Sequence, residues 1–413
     1  MRLRPAVPCP RRVGRQRQVV TATRTQPLNS PPPGLTDIEA IRALYRLDPD
    51  VVHLNHGSYG AVPQFVVAER RRIEDRIDAN SNRELRYLLE SEFHTTRHTL
   101  AAFCGIDPGG LAMVENVTTG ASAVLESFPL RASDQVVVPD DLYPSVHMAV
   151  QRACSRADAE LVSVPTPFLT PVNECVDRLL SKVGSRTRLV VTDHISTMSA
   201  RVWPVHELGS TLADRGVAYL VDASHAPGPI EHPAKDLPCD FWIGSFHKWV
   251  GAPRGSAGLW VAPQWRSSMQ SPVISHANGW NYPQLFDWSG THDVTPALAT
   301  PSAIAFLEWL GGSVLWQRSV SVARTANDFL HHRWGGRVLD PSPAIPMIVV
   351  EVPEAVVAPE QLGNAARWLS DVAKVEAVLF PMYGSGWARL STPVYACEAD
   401  IAKFAEALEA YPG

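Results

Sequence analysis

Two side chains with acid–base or binding chemistry lie at the end of one apolar segment of the sequence. Residues 218–221 are typical of a buried strand and lead directly into Asp222, and an imidazole follows three residues later at His225. Such a carboxylate could bind a metal ion, or it could hold a pyridine nitrogen in its protonated form. The metal interpretation is poor, because no second carboxylate or histidine accompanies the pair at the spacing of metal ligands.

A lysine follows a second apolar segment. Residues 241–244 read as a strand and continue into Ser245-Phe246-His247-Lys248-Trp249, where aromatic residues flank the lysine. Removal from water lowers the pKa of an ammonium group, and a Schiff base requires the neutral amine. Only five of the 37 basic residues are lysines. The position after Asp222 therefore favours a chemical role for Lys248 over that of an ordinary surface lysine.

A run of small and polar residues indicates a turn that opens a helix. It reads Glu115-Asn116-Val117-Thr118-Thr119-Gly120-Ala121-Ser122. The unpaired N–H groups and hydroxyls at the start of a helix can hold a phosphate. Thr118 or Thr119 could equally cap the helix with no ligand bound. This segment therefore supports a phosphate site only together with the segments that contain Asp222 and Lys248.

The elements that must position these residues alternate along the chain. Short β-rich segments at 135–139, 161–164, 189–192 and 218–221 are separated by helical patterns such as 145–159 and 205–215. This alternation predicts βαβ units and an α/β fold with a mostly parallel, buried sheet. Ligands of open α/β sheets bind at the C-terminal ends of the strands. Beyond a helix at about 296–310, strands at 345–352 and 387–391 predict a smaller α+β domain.

Composition excludes several other classes of protein. The 413 residues are 45% hydrophobic and 19% charged, with a formal net charge of −5, so a large core is expected and no basic field for nucleic acid. No apolar run approaches the roughly 18 residues of a membrane helix. The six separated cysteines fit reduced thiols in a cytoplasmic protein. Residues 1–35, rich in arginine and proline, are expected to form a disordered tail.

With two further motifs, these segments resemble the class V branch of fold-type I pyridoxal-phosphate enzymes, the aminotransferase group that includes isopenicillin N epimerase-like proteins. The resemblance extends over roughly residues 37–408. It implies an N-terminal arm and a large domain over residues 36–295, with helices on both faces of the sheet, and a small C-terminal α+β domain over residues 296–413. It is carried by Asn55-His56-Gly57-Ser58-Tyr59-Gly60, Asp222-Ala223-Ser224-His225-Ala226, Ser245-Phe246-His247-Lys248-Trp249 and Gly290-Thr291-His292-Asp293.

The resemblance implies pyridoxal 5′-phosphate as the cofactor. Lys248 would form the Schiff base, Asp222 would pair with the protonated pyridine nitrogen, and His225 would reach the phenolic oxygen of the ring. Tyr143 would stack on the cofactor ring. Thr197 would lie beside the edge of that ring. The phosphate would be held by Thr118, Thr119, Ser245 and His247, and by Thr291 from the second subunit of a homodimer.

The same resemblance implies an amino acid or small peptide as the substrate. Arg389 would bind its α-carboxylate, because a planar guanidinium can donate two parallel hydrogen bonds to a carboxylate. Asn55 and Ser58, from the first motif, would bind the substrate beside Arg389. Asn55 and Ser58 lie more than 300 positions before Arg389 in the sequence.

The implied reaction breaks a bond at Cα or Cβ of the substrate. Epimerisation is the leading interpretation, with Lys248 as the base at one face of Cα and Tyr59 or His56 as the acid at the other. A carbon–sulfur lyase would begin in the same way, and an aminotransferase is third. Cysteine desulfurases of this class carry a cysteine just before the arginine, whereas residues 380–386 contain none. A protein that only binds the cofactor would be expected to lack Lys248 or Asp222.

Overall fold

The computed structural model describes residues 31–340 and 342–413, so residues 1–30 of the predicted tail lie outside the described residues. The strands are β1 Val52–His53, β2 Leu111–Val114, β3 Gln135–Pro139, β4 Glu160–Val164, β5 Thr187–Asp193, β6 Ala218–Asp222, β7 Phe241–Ser245, β8 Ala257–Val261, β9 Met347–Val352, β10 Val375–Glu376, β11 Val378–Met382 and β12 Ser385–Ser391. The α-helices are α1 Ile38–Arg42, α2 His56–Tyr59, α3 Gln64–Ala79, α4 Ser81–Arg83, α5 Leu89–Cys104, α6 Val117–Ser127, α7 Pro144–Ala157, α8 Val172–Ser181, α9 Val205–Asp214, α10 Thr295–Leu310, α11 Ser313–Trp334, α12 Leu362–Trp368 and α13 Glu398–Glu409.

A seven-stranded sheet forms the centre of the large domain, in the order β2-β8-β7-β6-β5-β3-β4. Strand β8 runs antiparallel to β2 and β7, and the remaining neighbours are parallel. Val137 and Val221 face a core that contains side chains of α5, α8 and α9. Val136 and Leu220 face a second core built with α6 and α7. Helices therefore cover both faces, and the predicted fold class is confirmed.

The small domain is built on an antiparallel sheet in the order β11-β12-β9. The short β1 pairs in parallel with β10, and Leu54 lies in the core of this domain, so the N-terminal arm joins it. Helix α10, by contrast, packs against α3 and α5 of the large domain. The sequence placed the start of the small domain at residue 296, and the packing of α10 places it after Leu310.

Helix α10 is apolar on nearly every side. Its buried residues include Leu298, Ile304, Phe306 and Leu310, as expected of a helix that lies inside a core rather than on its surface. Within the described ranges, no single helix is long and apolar enough to cross a membrane. Helices α10 and α11 pass that test only as a pair, which is bent by 75°.

Candidate active site

The C-terminal ends of β5, β6 and β7 bring the predicted cofactor residues together. These strands are adjacent and parallel, and their register pairs Asp193 at the end of β5 with Asp222 at the end of β6. His225 lies on the turn that follows β6, and Lys248 on the turn that follows β7. Parallel strands end at the same edge of the sheet, so residues that are distant in sequence share one crevice.

Asp222 offers one unused carboxylate oxygen. Its Oδ1 atom accepts hydrogen bonds from the backbone N–H of Ser224 at 2.9 Å and from the Ser224 hydroxyl at 2.6 Å. The Oδ2 atom is buried and has no hydrogen-bond partner in the described part of the chain. Burial raises the pKa of the Asp222 carboxyl, and the Ser224 hydrogen bonds and the charge of Lys248 oppose that effect. A buried acceptor without a donor costs stability, and a protonated pyridine nitrogen would supply that donor.

Lys248 and His225 are in direct contact. The Nζ atom of Lys248 lies 3.2 Å from Nε2 of His225, and the hydroxyl of Thr197 lies 3.0 Å from the same nitrogen. Burial lowers the pKa of Lys248 to about 8, although the negative charge of Asp222 acts in the opposite direction. A substantial fraction of the amine is therefore neutral near physiological pH, which is the form that attacks a carbonyl carbon.

Arg389 is held in one orientation by residues from two other parts of the chain. Its Nη1 atom donates to the carbonyl oxygen of Thr197 at 2.8 Å. Its Nη2 atom donates to the hydroxyl of Ser58 at 2.8 Å and to Oδ1 of Asn55 at 3.3 Å. The Nε atom is buried and has no partner among residues 31–340 and 342–413. The guanidinium therefore retains an N–H group that could donate a hydrogen bond to a carboxylate.

Two tyrosines lie near this guanidinium. Burial lowers the pKa of Arg389 to about 10, and the phenol groups of Tyr59 and Tyr143 oppose that shift, so Arg389 stays charged at neutral pH. Tyr143 is half-buried at the start of α7. Tyr59 exposes 68% of its surface and lines a cavity of about 850 Å³. His56 lines the same cavity but is only 7% exposed, so Tyr59 is the more accessible of the two residues expected to protonate the second face.

His56 is held by protein partners. Its Nδ1 atom lies 2.7 Å from the hydroxyl of Tyr395, and the ring also hydrogen-bonds to the backbone of Lys248. The ring packs against Trp249, with 5.4 Å between the centroids. Burial lowers the pKa of His56 to about 4. His56 is therefore a neutral, largely buried ring in this structure, and its role as the acid at the second face stays a prediction.

The arm can lie against the lysine turn because residue 60 is a glycine. Gly60 has a φ of +68°, which favours a residue without a side chain. A Cβ atom there would collide with the carbonyl oxygens of His247 and Lys248. The contact between the arm and the backbone of Lys248 thus requires glycine at this position.

Three of the predicted phosphate residues, Thr118, Thr119 and His247, lie at or near the start of α6. Asn116 caps the helix, and its Oδ1 atom accepts the Thr119 N–H at 2.8 Å and the Thr119 hydroxyl at 3.2 Å. The Thr119 N–H expected to bind phosphate is therefore already engaged. Thr118 lines a cavity of about 330 Å³ and His247 a cavity of about 450 Å³ that also includes Asn116. Ser245 is buried at the end of β7.

Two further residues belong to the site and were not predicted from the sequence. Asp193 is buried with Oδ2 unpartnered in the described structure, and burial together with the charge of Asp222 raises its pKa well above the usual range. The available signal was that β5, like β6, ends in an acid. Trp249 donates its indole N–H to Nδ1 of His225 at 3.2 Å. Its orientation is visible only in three dimensions.

The geometry is that of a lysine and a carboxylate arranged for an aromatic cofactor, and a family model agrees. The model for aminotransferase class-V matches residues 60–361 of this chain. The chain belongs to the aminotransferase class-V family. Between residues 31 and 413, Pro341 aside, no group of three or more His, Cys, Asp or Glu side chains could hold a metal ion.

Relatives of this class V chain include enzymes with different named activities. It is 29% identical over 399 residues to isopenicillin N epimerase of Streptomyces clavuligerus, covering 92% of this chain and 99% of the relative. It is 27% identical over 336 residues to L-cysteine desulfhydrase of Arabidopsis thaliana, covering 73% and 71%. A solved mutant of C-DES with glycine covalently linked to its PLP cofactor superimposes with a TM-score of 0.75 at 18% identity, over 89% of this chain and 99% of that one.

This class V enzyme depends on pyridoxal phosphate, and its residues fit that cofactor. When bound, the cofactor supplies an electron-withdrawing ring that stabilises negative charge at Cα of the substrate. The unused Oδ2 of Asp222 would accept a hydrogen bond from the ring nitrogen, and Lys248 would hold the cofactor covalently. Thr118 and His247 would contact the phosphate. The fit rests above all on the buried, unpartnered oxygen of Asp222.

Proposed function

We propose that this protein is an epimerase that inverts the configuration at Cα of an amino acid or small peptide. The supporting observation is that two groups able to carry a proton, Lys248 and Tyr59, both lie within electrostatic reach of Arg389. They come from different elements, the turn after β7 and the arm helix α2. The similarity to isopenicillin N epimerase over 92% of the chain agrees with this proposal.

In this proposal each residue has one task. Arg389 binds the α-carboxylate and so fixes the direction of the Cα–H bond. Lys248 removes or returns the proton at one face, and the phenol of Tyr59 does so at the other. One proton leaves Cα and one arrives, so no oxidant or co-substrate is required.

A carbon–sulfur lyase is the second candidate, and the desulfhydrase relatives favour it. The first proton would again leave Cα, but a sulfur group would then leave Cβ with the bonding electron pair. A persulfide route is disfavoured, because the turn between β11 and β12 carries Tyr383 and Gly384 and no cysteine. Cys397 instead caps the start of α13, paired with Asp400.

The deciding experiment uses the holoenzyme with a panel of amino acids and cysteine conjugates in deuterated water. An epimerase gives the opposite enantiomer with deuterium at Cα and neither keto acid nor sulfide. Release of sulfide with a keto acid would establish the lyase instead, and keto acid formed only with an amino-group acceptor would indicate transamination.

The variant Tyr59→Phe sharpens this test. For an epimerase, it should retain exchange of Cα–H with retained configuration, because Lys248 still serves one face, and should lose inversion. For a lyase, elimination should continue. If Tyr59→Phe inverts its substrate at the wild-type rate, the role of Tyr59 is wrong.

The assignment of Lys248 has its own test, because the chain contains only five lysines. Borohydride reduction of the holoenzyme should fix the cofactor to one peptide, the one that contains Lys248. An adduct on Lys182, Lys235, Lys374 or Lys403 would refute the assignment.

We also propose a homodimer with shared sites. Thr291 is exposed on the loop before α10, in agreement with a role in a neighbouring subunit rather than in its own. Thr291→Ala should weaken cofactor retention in dialysis without changing the oligomeric state. A fully loaded, active monomer in light scattering would contradict the shared site.

A further inference from the structure

Three buried or half-buried groups form a hydrogen-bonded row that ends at the lysine. The indole N–H of Trp249 donates to Nδ1 of His225 at 3.2 Å, and Nε2 of the same ring lies 3.2 Å from Nζ of Lys248. Trp249 and His225 are 3% and 1% exposed. Neither ring can therefore replace these contacts with water.

The donor at one end of this row decides the protonation of the ring. An indole nitrogen can only donate a hydrogen bond, so Nδ1 of His225 must be the acceptor and carries no proton. A neutral imidazole has one N–H, and it therefore lies on Nε2. Nε2 is thus a donor with a single proton, and neither of the groups beside it, the Thr197 hydroxyl or the Lys248 amine, can donate to it.

That requirement has a consequence for the lysine. An ammonium group has three N–H donors and no lone pair, so protonated Lys248 would place N–H against N–H. Neutral Lys248 has a lone pair and can accept the Nε2 proton. We propose that Trp249 is a positioning residue whose indole N–H fixes His225 as an Nε2–H donor and thereby favours the neutral, nucleophilic form of the Lys248 amine over the ammonium.

Burial and nearby charges act on both Lys248 and His225. After burial, the groups that act on Lys248 are Asp222 and Asp193, which favour the ammonium, and Arg389, which disfavours it. Burial lowers the pKa of His225 well below its usual range, and any positive charge on Lys248, Arg389 or His247 acts in the same direction, so the ring stays neutral. The inference rests on Lys248 as the cofactor lysine and is independent of the choice between epimerase and lyase.

The first test reads the ring directly, in cofactor-free protein labelled with ¹⁵N-histidine. Two-bond ¹⁵N–¹H spectra should show His225 as a single Nε2–H tautomer across neutral pH, with the signal identified by its loss in His225→Gln. In Trp249→Phe the ring should become a mixture of the Nδ1–H and Nε2–H tautomers. The matched control is Trp316→Phe, because Trp316 packs edge-on against Trp249 with 6.2 Å between ring centroids and makes no hydrogen bond to His225 in the described structure.

The second test reads the amine. The rate at which cofactor-free protein takes up pyridoxal phosphate covalently should rise with pH as Lys248 loses its proton. In Trp249→Phe this profile should move to higher pH, and a shift of one unit would slow uptake at pH 7 about tenfold. Trp316→Phe should leave the profile in place.

The outcomes separate the two claims. An Nδ1–H tautomer in the wild-type protein, or an unchanged tautomer and pH profile in folded Trp249→Phe, overturns the role of Trp249. Circular dichroism of each variant establishes that it is folded. A borohydride adduct on another lysine would overturn the proposed function, while the tautomer of His225 would stand as measured.

Discussion

The two halves of the site are built in opposite ways. The strand-end half, formed by Asp222, His225 and Lys248, uses residues within 26 positions of one another and leaves a buried carboxylate oxygen without a donor. The arm half, formed by Asn55, Ser58 and Arg389, joins residues 331 and 334 positions apart, and both terminal nitrogens of the arginine are already bonded. Within the described residues each half leaves one buried polar atom for a ligand, Oδ2 of Asp222 and Nε of Arg389. The first half needs a ligand to satisfy its buried charge, whereas the second is held in place by protein partners before a ligand binds.

The largest effect is expected where a ligand must complete the site. Asp222→Asn removes the charge that would keep the pyridine nitrogen protonated, at a cost of about 3–4 kcal/mol in the transition state, so turnover should fall about 100-fold or more. Cofactor absorbance should remain. Asp214→Asn, at the exposed end of α9, is the control. Near-wild-type turnover of Asp222→Asn would show that the strand-end half does not depend on this carboxylate.

A smaller loss is expected from Arg389→Lys. Lysine keeps the charge but not the planar fork, and hydrogen bonds to charged groups contribute about 1.5–3 kcal/mol. The value of kcat/KM should fall about 10- to 100-fold while the cofactor spectrum stays unchanged. Arg333→Lys, in an exposed pair with Glu409, should behave as wild type. Unchanged kinetics in Arg389→Lys would mean that the carboxylate binds elsewhere.

Ser58→Ala tests the pre-organisation itself. The variant removes one of the two side-chain acceptors of Arg389 Nη2 and leaves Asn55 at 3.3 Å. A single such bond contributes about 1 kcal/mol, so KM should rise about fivefold with little change in kcat. Ser210→Ala, on an exposed helix turn, is the matched control. An equal fall in kcat would show that the arm acts on the reaction and not only on binding.

The smallest effect on activity is expected from Asp193→Asn, within about threefold of wild type, because a carboxyl with a raised pKa is largely neutral and asparagine resembles it. Stability should respond instead. An acid whose pKa is raised by folding holds a proton that the unfolded chain has released above about pH 4, so wild-type stability falls as the pH rises beyond that point. Asn has no such proton, so cofactor-free Asp193→Asn should melt higher than wild type at pH 8 and level with it near pH 4. Equal melting temperatures at both values would place a charged Asp193 in the folded protein.

The strand-end half could be predicted from the sequence, and the arm half only by resemblance. Strands β3, β5, β6 and β7 could be predicted because parallel strands covered on both faces read as continuous apolar runs, and a polar residue after such a run marks the ligand edge. Asp193 escaped notice because its meaning depends on lying beside Asp222 in the folded sheet. The hydrogen bond between His56 and Tyr395 could not be predicted, because the two residues lie 339 positions apart. No local sequence pattern can predict a contact between residues so far apart.

The pairing of β1 with β10 sets an order of assembly during synthesis of the chain. Closing a loop of more than 300 residues costs entropy before any contact is gained, and domains tend to fold from the N-terminal side as the chain emerges. Residues 111–261, which carry the central sheet, leave the ribosome well before Arg389 is made. A nascent chain would therefore pass through a stage in which the central sheet and Lys248 are folded, while Arg389, which the arm later contacts, has not yet been synthesised. The chain would therefore be able to bind the cofactor before it could bind the amino acid substrate.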